Sequence, residues 1–337
     1  MGPDLFWLGV GFPGMALVGV TVKNMFAVVY IPTRGEGGKL PATDLNAPPC
    51  SGDYYQSSAI ESTFVAGVPD ITDSTTTLCK ALPKDTRQAW IDYNKDPDPS
   101  SAHPEIFSIM CKLGKPPQVI EPLAGILRDP RFFCLEWFNL HMKDFVMMSI
   151  EWLVLADSSV VQSGVTKSIL FDAGGTNFMD AMHFFTKQYG SRGIHFDEVY
   201  VWEATYQGVE NYWHGVPPEV RKHWEPRLTF YDGVPVSPEL GAEHNVVSRI
   251  LRICRPTDFC AFKLDIDNFA VEHALVEQML AAPKETGAVL DEFFFEHHVD
   301  GLMHTADHWK ETNGTTKDSY EIFLKLRRMG VRAHSWI

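Results

Sequence analysis

From residue 164 onward the apolar positions keep two rhythms that take turns. Short, nearly unbroken runs at 168–172, 198–202, 227–231, 258–267, 290–295 and 331–337 alternate with stretches spaced for helices at 178–189, 240–254, 270–281 and 319–329. Short apolar runs without polar alternation suit strands covered on both faces, and strands that alternate with helices predict a parallel, doubly wound α/β sheet. Because the last helix is followed at once by the terminal run, the final strand is expected to return antiparallel.

The preceding half reads differently. Residues 33–116 are crowded with turn signals, such as Gly35-Glu-Gly-Gly38, Pro48-Pro49 and Asp96-Pro-Asp-Pro-Ser100, and predict an irregular extension. Helical spacing returns at 117–127 and again at 132–155, through Leu135, Phe138, Met142, Phe145, Met148 and Trp152. The span 117–163 is therefore expected as a helical lead-in packed on a domain running from 164 to 337. Ahead of all this, residues 5–31 are apolar and interrupted only by Lys23 and Asn24. A run of that length predicts a membrane anchor within residues 1–32, placing the chain on an endomembrane rather than in the cytoplasm. Pro13 and the glycines from Gly9 to Gly19 favour a buried element instead, and no basic region marks a cleaved signal. Gly9-Val-Gly11-Phe-Pro-Gly14 matches G-x-G-x-x-G only formally, because Pro13 sits in the turn and the motif requires a strand before it and a helix after it.

Across 337 residues the net charge is −14, which argues against a nucleic-acid partner. Six cysteines, Cys50, Cys79, Cys111, Cys134, Cys254 and Cys260, form no C-x-x-C pair, so a zinc site is not expected. They read as buried thiols, the even count leaving room for disulfides in a secretory lumen.

Residues 168–203 carry the chemistry. An apolar run ends in Asp172-Ala-Gly174-Gly175-Thr-Asn177, a helix follows, and a second run ends in Glu203, which outlines a β-α-β nucleotide-binding half of Rossmann-like type. Asp172, Glu203 and Asp265 each end a predicted strand, where ligands of such sheets bind. Gly174 and Gly175 allow close backbone approach. Glu203 offers two acceptor oxygens to ribose hydroxyls. An acid directly before the glycines would repel a pyrophosphate but suits a sulfonium and an ammonium group.

These residues resemble the class I S-adenosylmethionine-dependent methyltransferases, and more narrowly the FkbM-like methyltransferase family. The matching pieces are Phe171-Asp-Ala-Gly-Gly-Thr-Asn177, Val201-Trp-Glu203, Phe262-Lys-Leu-Asp265-Ile-Asp267 with Glu272, and Phe295-Glu296. The resemblance covers about half the chain, in the order the family keeps. It implies S-adenosylmethionine as cofactor, held by Asp172, Gly174, Gly175, Asn177 and Glu203, and O-methylation of a small-molecule or glycan-like acceptor. Asp265, Asp267 and His297 are the candidate catalytic groups, as bases or acceptor-facing acids. Asp267-Asn268 replaces the family's Glu-Gly, and Asn177-Phe178 stands where many relatives have a further glycine. An NAD(P)-dependent oxidoreductase and a non-catalytic, methyltransferase-like binding module are the alternatives. His297, His298, His304 and His308, with Glu296, Asp300 and Asp307, invite a metal reading. H-E-x-x-H is absent, and no metal is expected.

Overall fold

The computed structural model describes residues 50–67, 106–125, 127, 150, 152–158, 167–299, 312 and 314–336, together with the backbone of three strands before residue 33. The chain divides into two units, Met1–Leu40 and Pro41–Ile337.

In the first unit, β1 (Leu5–Val10), β2 (Met15–Val22) and β3 (Met25–Pro32) form an antiparallel sheet in the order β1-β2-β3. The apolar run expected as a membrane-spanning segment is thus three strands. Val22 pairs with Met25 across a connection of two residues, and β-branched residues fill both strands, as at Val18, Val20, Val28 and Val29. Among the described residues no helix is long and apolar enough to cross a membrane. The formal glycine motif begins on β1 and is followed at Met15 by a strand, not by the helix a dinucleotide site needs.

The second unit opens with β4 (Tyr54–Gln56), α1 (Ala59–Gly67), β5 (Ser108–Cys111) and β6 (Gln118–Ile120), the strands forming a small antiparallel sheet in the order β4-β5-β6. Two expectations fail here. The extension holds regular structure, and 118–120 is a strand rather than the start of a helix. Pro122 lacks the N–H a helix would use, and Gly125 and Leu127 have positive φ. Val119, Ile120, Leu123, Ala124 and Leu127 are all buried, so their spacing reports burial and not helix. Of the expected helix at 132–155, residues 132–149 lie outside the described ones. Its end, 152–155, is not helical: the Val154 N–H donates to Glu121 at 3.0 Å, and the Ala156 N–H to Glu292 at 3.0 Å. Cys50–Cys111 and Cys254–Cys260 are disulfides, correcting the expectation of thiols at those four positions.

The main sheet is built from β7 (Ser168–Ala173), β8 (Glu198–Glu203), β9 (Leu228–Asp232), β10 (Phe259–Leu264), β11 (Glu292–Phe295) and β12 (Arg332–Ser335). Their order is β12-β11-β10-β7-β8-β9 and every pairing is parallel. The α/β class and the parallel sheet stand as expected; the antiparallel last strand does not. The helix before it, Thr316–Arg328, carries the chain back along the sheet, and a turn at Met329 and Gly330 delivers it to the edge where β11 began, so Arg332 pairs with Glu292.

The intervening helices are α2 (His183–Ser191), α3 (Val209–Tyr212), α4 (Pro218–Trp224), α5 (Val246–Ile253), α6 (Phe269–Ala281), α7 (Pro283–Val289) and α8 (Thr316–Arg328). Strand alternation divides the core between two faces. Ile169, Phe171, Cys260, Phe262, Phe293 and Phe295 join the face covered by α5, α6 and α8. Leu170, Phe259, Ala261 and Phe294 join that covered by α2, α3 and α4. Chain order reverses between β7 and β10, and the crevice beyond their carboxyl ends is where such a sheet holds ligands.

Candidate active site

A cavity of about 870 Å³ lies at that crevice, lined by Gly174–Asn177, Asp180, Trp202–Thr205, Gln207, Val236, Lys263 and Asp265–Asn268 among others. β7, β8 and β10 each end in it.

Gly174 and Gly175 line the cavity, whereas Asp172, expected beside the cofactor, is buried beneath the turn against Lys263, and the glycines answer to the protein first. Both their N–H groups donate to the Trp202 carbonyl, at 2.9 and 3.1 Å, which fastens the turn after β7 to the end of β8. Gly174 has φ +95°, and a Cβ there would fall 1.5 Å from the Asp265 carbonyl oxygen. A Cβ on Gly175 would meet Val201 Cγ1 at 2.3 Å. Only two glycines allow the three strand ends to close on each other.

Behind the turn, Lys263 is buried with its Nζ 3.2 Å from Asp172 Oδ1 and 3.0 Å from Asp265 Oδ2, and it donates to the Gly174 carbonyl at 3.2 Å. Burial works against its charge, but the two carboxylates outweigh it and hold the ammonium above its usual range. Asp265 is pushed up to about 7, first by burial and then by the neighbouring Glu296 carboxyl, which shares a hydrogen bond with it; Lys263 opposes the rise. Glu203 faces the cavity, one oxygen accepting from the Thr176 hydroxyl at 3.1 Å and the other from the Thr205 N–H at 2.7 Å.

Asn177 serves as a helix cap. Its Oδ1 accepts from the Asp180 N–H at 3.2 Å and its Nδ2 donates to the Asp180 carboxylate, starting a π-helical turn at Phe178–Met182 that leads into α2. Asp180, unforeseen from the sequence, lines the cavity at this helix start.

Asp267 lies on the cavity wall in a left-handed turn, φ +52°. His297 does not join it. Its ring stacks on Phe295 at 5.2 Å, its Nδ1 is 2.6 Å from the Ser319 hydroxyl, and it lines a separate cavity of about 360 Å³ with Phe269, His273 and Asp318. Burial lowers its pKa to about 4. The neighbouring His298 is the one that turns toward the strand ends: its Nε2 is 3.3 Å from Glu296 Oε2 and 3.7 Å from Asp267 Oδ1. Burial opposes its protonation, while Glu296, Glu272 and Asp267 together raise its pKa. Glu272 is itself pushed up to about 6 by burial, against the Ile266 N–H that donates to it at 2.9 Å. His304, His308, Asp300 and Asp307 lie outside the described residues.

Lys263 and Asp180 each carry a signal in the sequence. Lys263 is a charge inside an otherwise apolar strand, and Asp180 is the third residue after a capping asparagine. No family model matches the chain, and neither does any curated protein or solved structure.

Proposed function

We propose that this chain is an S-adenosylmethionine-dependent methyltransferase acting on an oxygen of a small-molecule or glycan-like acceptor. One observation carries the reading, the charge of the cavity. Asp180, Glu203, Asp265 and Asp267 line it, while its lysine, Lys263, is committed to Asp172 and Asp265. A pyrophosphate would face carboxylates at the helix start and at two strand ends, whereas a sulfonium with an ammonium group is attracted there. Glu203 would take the ribose hydroxyls, with Asp180 and Asp265 toward the cationic end. Bound S-adenosylmethionine would supply the methyl group, its carbon–sulfur bond breaking with the electron pair kept on sulfur, and the acceptor proton would pass to a carboxylate. Asp265 would receive it. The protein's main contribution would be alignment.

A second reading, a nicotinamide-dependent oxidoreductase, draws support from the strand order, which is that of dinucleotide-binding sheets. Calorimetric titration separates the two. S-adenosylhomocysteine should bind in the micromolar range, with at least tenfold weaker binding to Glu203→Ala and Asp180→Asn, and reduced nicotinamide cofactor should give no fluorescence transfer. Binding of the nicotinamide alone would replace the first reading with the second. Binding of neither would leave a non-catalytic module.

A further inference from the structure

We propose that Asp267, Glu296 and His298 form a divalent-cation site at the mouth of the cavity, and that the cation receives an acceptor with two neighbouring oxygens. The acceptor assignment rests on the methyl-transfer reading; the cation site does not.

The three side chains come from two adjacent strand ends. Asp267 follows β10. Glu296 is the first residue after β11, its N–H held by the Leu264 carbonyl at 3.1 Å, and His298 lies two residues further on. One ligand atom of each lies within 4.8 Å of the other two. The His298 nitrogen is 3.3 Å from Glu296 and 3.7 Å from Asp267. An ion about 2.1 Å from each donor sets neighbouring donors about 3 Å apart, so small side-chain rotations would let all three share one.

Solvated surface acids look different. The Glu296 and His298 side chains are only 14% and 7% exposed, so two of the three donors are fixed by the fold. Asp267 is 81% exposed and lies on the cavity wall, so the least enclosed of the three donors is the one beside the ligand space. A simple ion pair would need one carboxylate for the imidazole. Here two converge on it. One imidazole with two carboxylates is a mixed nitrogen and oxygen donor set that a first-row divalent ion such as Mn²⁺ accepts. Three protein ligands on one side leave positions for two acceptor oxygens. Coordination there would ease loss of the acceptor's proton before the oxygen attacks the methyl carbon.

The test uses the full chain and Mn²⁺ alone, followed by the electron paramagnetic resonance signal of the free ion. We expect one ion per chain. Asp267→Asn, altered at an exposed side chain, and His298→Gln should each weaken binding at least tenfold, with unfolding curves confirming that both variants fold. No retained Mn²⁺, or equal affinity in wild type and both variants, would overturn the site and leave an ion pair only. Mn²⁺ binding without S-adenosylhomocysteine binding upholds the cation site and removes the methyl-transfer reading beneath the acceptor assignment.

Discussion

Lys263 shows at the scale of one residue what an apolar strand conceals. β10 is buried throughout, and a lysine in it must find compensation inside the protein. It finds Asp172 and Asp265. Replacing it by methionine keeps most of the volume but leaves two carboxylates facing each other, which should cost about 3–5 kcal/mol. Asp172→Asn added to that variant should recover part of the loss, and urea unfolding of Lys263→Met, Asp172→Asn and the double variant would expose the coupling. Additive losses would mean that the pair does not act as a unit. The strand-end acids were legible because an acid and two glycines after an apolar run have few other uses. What the glycines do was not: their spacing suggests ligand approach, whereas both N–H groups are spent on Trp202. Nor could spacing choose between His297 and His298. They follow the end of β11, where strand alternation no longer says which side chain turns inward.

At the scale of elements, the six strands of the main sheet and their order along the chain were readable, while the direction of the last was not. Hydrophobic rhythm marks that residues are buried, but a strand at 332–335 has the same rhythm in either direction. Direction follows from α8, thirteen residues long, which returns the chain to the starting edge of β11. The same limit explains 117–127, where helical spacing coincides with burial and Pro122 decides against a helix. Helix starts were better signalled, since Asn177, Asn245, Asn268 and Thr315 all cap from the side chain. Asn177 has two candidate roles, and they make different demands. If capping is its main work, Asn177→Ala should destabilise by about 1 kcal/mol and Asn177→Ser by much less. S-adenosylhomocysteine affinity in the serine variant should then match wild type; a tenfold loss with stability intact would return Asn177 to the ligand.

At the scale of the whole second unit, a buried ionic network joins the small sheet and α1 to the main sheet. Glu61 on α1 accepts from Arg327 at 3.2 Å and from the Leu123 N–H at 2.9 Å. Arg327 reaches on to Glu121 at 3.0 Å, and Arg332 lies 3.4 Å from Glu292, which also accepts from the Tyr189 hydroxyl at 2.6 Å. His334 on β12 closes the chain, Nδ1 2.7 Å from Glu121 and Nε2 2.8 Å from Glu292, with Phe294 stacked on its ring. Both ring nitrogens face carboxylates, and a neutral imidazole could donate to only one of them. Charge agrees, because three carboxylates are balanced by two guanidiniums only if the imidazole is protonated. Burial opposes that proton, but Glu121 and Glu292 prevail and raise the pKa above 6.5, while His334 and the guanidiniums hold both glutamates below 4.5 despite their burial. The raised histidine contributes stability that is complete below pH 6.5 and fades as pH rises through its folded value. The glutamates contribute stability that is complete above pH 4.5 and fades as pH falls through theirs. His334→Gln carries no charge and has one donor nitrogen where the imidazolium presents one to each glutamate, and should lose about 3–5 kcal/mol at pH 6. The difference from wild type should then shrink toward alkaline pH, as the wild-type imidazole loses its proton. Urea unfolding of both proteins across the pH range measures that difference, and two parallel curves would mean that His334 is neutral and the network is held by its arginines alone.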